Sequence, residues 1–433
     1  MKRQRSRLVG EMRLLSGQGP ELVPVAMVPV PGRVLHFLTN SLPHTTSGYA
    51  QRSHSILTAQ QDLGAEILAV TRLGYPVQVG KIFAAGEDVV NGITYRRMIP
   101  SRLAKTADER VQQEAAELLQ IALEFRPEIL HTTTHFTNGL VVGAVAEALG
   151  IPWVYEVRGQ LIDTWASSRT SAAKSSQRYK AFQSSETSVM RKANSVATLG
   201  RVMKAGIVAQ GVPDCKIIMV PNAVGGDFLQ KPETHTVART KLGLDTGCDY
   251  IGTVSSLVDY EGMDDLIEAF ALLAPGFPNL RLLIVGSGPV APALKERVRH
   301  LNLSNIVIFT GRVPREQARV YHQALDIFVV PRKDLPVTRA VTPLKPVEAL
   351  SCARPVVASD LPALREIVED GVNGKLYGPD NIGSLAETLS CLLLDKNEMD
   401  RLGLKGRDMV LETRTWASNA SVYARNYDEL KDR

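Results

Sequence analysis

No apolar run in this sequence approaches the ~20 residues that a membrane-spanning helix requires. The most tempting stretch, Leu22 to Leu38, is broken by Pro24, Pro29 and Pro31. Cysteine is scarce: Cys215, Cys248, Cys352 and Cys391 stand far apart. They offer neither a metal-ligand spacing nor a disulfide framework, so a reducing cytosol is the expected compartment. Aromatic residues are only 6%, and charge of one sign is nearly matched by the other, leaving +5. That excess is too small to argue for nucleic acid, though it admits a partner carrying phosphates. With 44% hydrophobic and 22% charged residues the chain is not mainly disordered. A basic start (Lys2, Arg3, Arg5, Arg7, Arg13) is followed by no apolar segment and no small-residue cleavage site, so it does not read as a signal peptide. Residues 1–32 are expected to form a solvated basic arm, free to be disordered.

What is present, over 433 residues, is a repeated alternation. Short apolar runs such as Val34–Leu38, Glu66–Val70, Pro152–Val157 and Ser195–Leu199 alternate with stretches of helical period, the clearest being Asp108 to Phe125. A second series begins after Asp227 with Asp249–Val254, Arg281–Val285, Asn305–Phe309, Asp326–Val330 and Pro355–Ser359. Strands alternating with helices imply parallel sheets wound by right-handed crossovers. The chain therefore reads as α/β, with two tandem Rossmann-like domains at 33–222 and 223–414 and a closing helix at 415–433. Sites in such sheets lie beyond the carboxyl ends of the strands, and with two sheets a facing cleft is the natural place.

The most informative stretch is Phe328–Val368, "FVVPRKDLPVTRAVTPLKPVEALSCARPVVASDLPALREIV". A strand ends near Pro331, and a loop carrying Arg332 and Lys333 leads to Thr342-Pro343. Thr is a good N-cap and Pro suits the first helical position, so a helix is expected from Pro343. Thr342, Pro343 and Leu344 would form the start of this helix, whose free N–H groups favour an anion. Lys345, a cation in a first turn, asks for something negative, and Glu348 shares its face. A carboxylate there can accept two ribose hydroxyls; equally, Lys345 and Glu348 can pair on an exposed helix. Gly286, in the "GSGP" turn, is a candidate residue of the donor-binding site, although the turn is not a dinucleotide fingerprint. Backbone groups around Gly311 and Val313 in "TGRVP" either meet a nucleobase or form a plain turn. Between Arg169 and Lys204 eight cations face one Glu186, a face suited to anionic lipid, to a phosphorylated acceptor or simply to water.

In these residues the chain resembles the retaining glycosyltransferases of the GT-B fold, family 4, and within them a subgroup with a "TPLK…E" motif. "SLPHTTSGYAQRSHSILTAQQDLG", "YEVRG", "VPNAV", "IGTVSSLVDYEGMDDLIEAF", "LLIVGSGP" and "FTGRVP" agree in order and spacing. The resemblance implies that Glu348 binds the nucleotide ribose, as the second Glu of an E-x7-E motif whose first Glu is replaced by Ala340. Family cations against the diphosphate fall on Ser256 and Glu261 here, so Arg332 and Lys345, with Arg339, would have to supply that charge. Ser47 and Gly48 would admit the sugar diphosphate, Gly48 through lack of a side chain; the alternative is that Gly48 only satisfies a turn of positive φ. His131 matches a first family His, Thr133 replaces the second, which lies near the reacting sugar, and His135 could reach that place; His131 and His135 are thus the candidate catalytic histidines. Arg158 would face the acceptor, or pair with Glu156 or Asp163. The closing helix would return to the first domain. The implied activity is transfer of a sugar, with retention, from a nucleotide-diphosphate sugar to a hydroxyl acceptor, carbohydrate or lipid-linked, in polysaccharide or glycolipid assembly. The resemblance implies neither cofactor nor metal, and no nucleic-acid partner. It implies a cytoplasmic site of action, at the inner face of the membrane where contact with anionic lipid would occur. A nucleotide-sugar epimerase on the same fold, and a degenerate transferase acting as a binding module, are the alternatives.

Overall fold

The computed structural model describes residues 2–167 and 169–432. Apolar runs buried along their length form parallel strands, as expected where helices cover both faces of a sheet. The chain divides into two units, Met1–Pro221 with Trp416–Arg433, and Asn222–Thr415.

Unit 1 holds strands β1 (Arg33–Leu38), β2 (Glu66–Thr71), β3 (Glu87–Val90), β4 (Ile93–Arg97), β5 (Ile129–Thr133), β6 (Trp153–Val157), β7 (Ser195–Thr198) and β8 (Ile217–Met219). Their order in the sheet is β3-β4-β2-β1-β5-β6-β7-β8. Only the β3–β4 hairpin is antiparallel. It turns at Asn91-Gly92, both at positive φ (49° and 82°), the backbone that an Asn-Gly hairpin loop demands. The helices are α1 (Lys2–Leu15), α2 (Gly48–Asp62), α3 (Ala107–Phe125), α4 (Phe136–Leu149), α5 (Leu161–Ser167), α6 (Gln177–Lys192) and α7 (Arg201–Ala209). The order in which strands are added to the sheet reverses between the parallel neighbours β1 and β5, which makes their carboxyl ends the switch point where such sheets bind ligands.

The expected free arm is not what the structure shows over residues 2–32; Met1 lies outside the described residues. Leu14 of α1 is buried, Arg13 pairs with Asp108 at 3.0 Å, and Ser185 donates to the Leu15 carbonyl. The following extended segment donates from Val25 N to Ala148 O and from Val30 N to Arg126 O, both 2.9 Å. Backbone groups satisfied in this way have no reason to stay in water.

Unit 2 holds α8 (His235–Leu242), β9 (Asp249–Val254), α9 (Met263–Leu273), β10 (Leu280–Val285), α10 (Ala291–His300), β11 (Val307–Gly311), α11 (Arg315–Ala324), β12 (Ile327–Val330), α12 (Pro336–Ala340), α13 (Lys345–Ser351), β13 (Val356–Ser359), β14 (Gly374–Tyr377), α14 (Ile382–Leu394) and α15 (Lys396–Thr413). All six strands are parallel, in the order β11-β10-β9-β12-β13-β14. The switch point lies between β9 and β12. The last helix, α16 (Trp416–Lys431), belongs to unit 1. There the Tyr427 hydroxyl meets His131 Nδ1 at 2.6 Å and Gln60 Nε2 at 3.0 Å. Among the described residues no helix is long and apolar enough to cross a membrane.

Candidate functional site

In unit 2 the loops that leave the carboxyl ends of β9, β11 and β12 carry most of the expected site residues. The helix after β12 begins at Lys345, not at Pro343, and Thr342 does not cap it. The Thr342 carbonyl is taken by Asn222 Nδ2 at 2.8 Å, and its buried hydroxyl meets no N–H. Pro346 then sits in the first turn, where its missing donor is harmless. Thr342, Pro343 and Leu344 thus form the turn before the helix and not its N-terminus.

Glu348, in the first turn of α13, has no solvent exposure at all. Its carboxylate accepts from Lys345 Nζ at 2.9 Å on one oxygen and from Arg315 on the other. His322 Nε2 stands 3.5 Å away. The pairing with Lys345 is therefore present, but in the interior and not on an exposed face. Burial alone would raise the Glu348 carboxyl; Lys345 and Arg315 outweigh it and hold the group ionised, well below the usual carboxylate range. Both cations keep about a third of their side chains exposed, 31% and 33%. Arg315 was not foreseen. It opens α11 just beyond "TGRVP", and a cation two residues past a strand-end turn was the available clue.

Arg332 is not a free phosphate cation here. It forms a two-pronged ion pair with Glu261 (2.6 and 3.2 Å) and donates to Val341 O at 2.8 Å. Arg339 pairs with Asp334 at the surface, and Lys333 with Asp264 and Asp265. Gly286 has φ 139°, and a Cβ there would lie 1.8 Å from Ser255 O, so backbone packing explains this glycine. Gly311 needs its positive φ of 73°, with open space where a Cβ would stand. Val313 packs against the core beneath β10 and β12.

In unit 1 Ser47 caps α2, its hydroxyl accepting from Ala50 N. Gly48 is the first residue of that helix, takes no positive φ, and has room for a Cβ. The expectation that its conformation demands glycine is thereby corrected. His131 is wholly buried between the Tyr427 hydroxyl and Glu156, 3.8 Å away, with no path to a sugar. Burial lowers its pKa, with Glu156 opposing. His135 caps α4 by accepting from Thr137 N, and burial, Arg72 and Arg178 lower its pKa to about 4. Arg158 is buried and donates to Glu156 at 2.5 Å, the salt bridge that the sequence offered as its alternative. In the basic stretch, Arg169 and Arg178 lie over the Trp165 ring, Arg191 donates to the carbonyls of Gln210 and Gly211, and Lys204 pairs with Asp214.

Residues 47–223 match the family described as "Glycosyl transferase 4-like domain", and residues 235–409 match "Glycosyl transferases group 1". The chain carries a group 1 glycosyltransferase domain in its second unit and a glycosyltransferase 4-like domain in its first. It is 27% identical over 235 residues to the GDP-mannose-dependent alpha-(1-6)-phosphatidylinositol monomannoside mannosyltransferase of Mycolicibacterium smegmatis. That match covers 54% of this chain and 61% of the relative, so less than two thirds of the relative's length is accounted for. Among solved structures, the sucrose-phosphate synthase of Thermosynechococcus elongatus superposes with a TM-score of 0.75 at 18% identity, over 92% of this chain and 99% of that one. Anabaena Alr3699/HepE, solved in complex with UDP, gives 0.72 at 16% identity, over 92% and 100%. At that identity the likeness establishes the fold, which is that of the GT-B glycosyltransferases.

Proposed function

We propose that this group 1 chain is a glycosyltransferase that moves a sugar, with retention, from a nucleotide-diphosphate sugar to a hydroxyl acceptor in polysaccharide or glycolipid assembly. The observation that carries the reading is Glu348: an ionised, fully buried carboxylate at the carboxyl edge of the unit 2 sheet, held by two cations that are each a third exposed. On nucleotide entry the ribose hydroxyls would take the carboxylate oxygens, and Lys345 and Arg315 would turn to the diphosphate. As the bond from the anomeric carbon to the phosphate oxygen breaks, negative charge grows on that oxygen, and cations already turned to it stabilise it most at that moment. The acceptor oxygen then bonds to the same face of the sugar, and its proton passes to the departing phosphate. Arg332, tied to Glu261, serves to position the loop that leads to α12.

The lipid acceptor in the relative's name and the UDP in the neighbour's title support a lipid or sugar acceptor and a uridine or guanosine donor. Such an acceptor would place the reaction at the cytoplasmic face of a membrane. Calorimetric titration of UDP, GDP and ADP into the wild type and Glu348→Gln tests the reading, followed by a transfer assay with the nucleotide sugar whose nucleotide binds. Nucleotide affinity unchanged by the substitution would make Glu348 a structural ion pair and end the argument from this site.

A further inference from the structure

A cavity of about 480 Å³ opens in unit 1. It lies at the carboxyl ends of β2, β1, β5 and β6, four neighbours in the sheet, and so spans the switch point. Thr39 lines it after β1, Arg72 after β2, His135 after β5 and Arg158 after β6, with Arg110 and Glu114 on the wall formed by α3.

The charges around this space do not balance. Among the described residues the Arg72 guanidinium makes no hydrogen bond and no ion pair, and its Nε is buried without a partner. The side chain is only partly buried, but a donor nitrogen shut from water and left unpaired is costly, so Nε is expected to have a partner in the working protein. Arg110 spends its Nε on the Ala104 carbonyl at 2.8 Å. Arg158 shares the single carboxylate of Glu156 with Arg52, one negative charge between two guanidiniums. Glu114 is the one acidic side chain lining the cavity among the described residues. It accepts from Leu73 N, and burial, opposed by that bond and by Arg72, pushes its pKa up to about 7, so it is a weak counter-charge.

We infer that this cavity seats a phosphate group carried by the acceptor, with Arg72 as its main ligand and Arg110 as a second cation. A phosphate supplies the several acceptor oxygens that an arginine fork matches in pairs. The inference rests on the reading of unit 1 as the acceptor side of a transferase. The phosphate could belong to a soluble acceptor or to a lipid headgroup, and the experiment separates them.

The full chain is titrated calorimetrically with glycerol 3-phosphate and with glycerol, and sedimented with phosphatidylcholine vesicles that do or do not contain phosphatidylglycerol. Glycerol 3-phosphate is expected to bind and glycerol not. Arg72→Gln should weaken that binding at least tenfold, Arg72→Lys less, and Ala107→Phe, which fills the cavity, should abolish it. Nucleotide affinity measured on the same samples should stay at the wild-type value, and an unchanged urea-unfolding midpoint reports that each variant is folded. Arg72-dependent sedimentation only with phosphatidylglycerol would assign the phosphate to a lipid headgroup; Arg72-dependent binding of glycerol 3-phosphate without it would assign a soluble acceptor. Equal binding by wild type and Arg72→Gln, or binding of neither probe by the wild type, would overturn the inference. A wild type that binds phosphate through Arg72 yet no nucleotide would sink the transferase reading and leave this site standing.

Discussion

Glu156 in unit 1 and Glu348 in unit 2 are both fully buried carboxylates, each held by two cations with a buried histidine alongside. Their partners differ. Arg52 and Arg158 are each only 4% exposed. Arg52 also donates to the carbonyls of Val220 and Pro221, and Arg158 to Ser53 Oγ and the Tyr49 carbonyl. These arginines cannot leave Glu156 without breaking other bonds. Arg315 and Lys345 have no other hydrogen bonds among the described residues, and a third of each reaches water. The same charges thus make a clamp tied on several sides in one unit, and in the other a carboxylate whose cations are each held by a single hydrogen bond among the described residues. What separates them is the freedom of the cations, not the burial of the acid.

The comparison can be broken in several ways. Glu156→Gln strands two buried guanidiniums, and losing one partner of a buried pair costs about 3–5 kcal/mol. Urea unfolding should show that loss, and a value under 1 kcal/mol would dissolve the contrast. Lys345→Ala and Arg315→Ala should each reduce turnover about 10²-fold, near 3 kcal/mol, with the donor Michaelis constant moving less. Arg332→Ala should show up in unfolding experiments instead, since it strands Glu261.

Glu114 sets the opposite limit, a buried carboxyl with no ion pair among the described residues. Its folded pKa, about 7 against an ordinary 4.5, means that the folded state holds a proton that the unfolded state has released between those values. Stability should therefore fall as the pH rises across that window, by up to about 3 kcal/mol, and Glu114→Gln should remove that slope. Glu156 and Glu348 shift the other way. Their contribution is in place above the unfolded value of about 4.3 and is lost as the pH falls through the lower folded one. Glu348→Gln should weaken nucleotide binding by about 1.5–3 kcal/mol while costing less stability than Glu156→Gln, because its cations can turn to water. The smallest effect belongs to Gly48→Ala. With space for the Cβ and no positive φ, it should stabilise by about 0.4–1 kcal/mol through the unfolded chain. A loss of transfer without loss of stability would show that the donor presses on this residue.

Much of the architecture was legible because its strands are apolar runs that need no context. Asp249–Val254 coincides with β9, and most others shift by one or two residues at their ends. The β3–β4 hairpin went unseen although "VVNGITY" carries the Asn-Gly loop that announces one. The α1 helix was missed because a single deeply buried side chain, Leu14, anchors it amid charge. The site was legible as a region and not as an arrangement. Glu348 and Lys345 lie together as their spacing implied. That Arg332 would be claimed by Glu261, 71 residues away, is a tertiary fact. So is the arrival of Arg315 at Glu348 from α11. Local spacing reports which side chains share a helix face, not which long-range partner reaches them first.

The return of α16 to unit 1 also sets an order of assembly. Unit 2 is one continuous stretch and can complete its sheet while the end of the chain is still being made. Unit 1 cannot, because the Tyr427 hydroxyl meets His131 and accepts from Gln60 Nε2, and Asn419 donates to the Pro221 carbonyl, only after α16 has emerged. During synthesis the first-made domain is therefore the last to close. Loss of the final helix would leave a folded second domain attached to a first whose interior is open to chaperones and proteases.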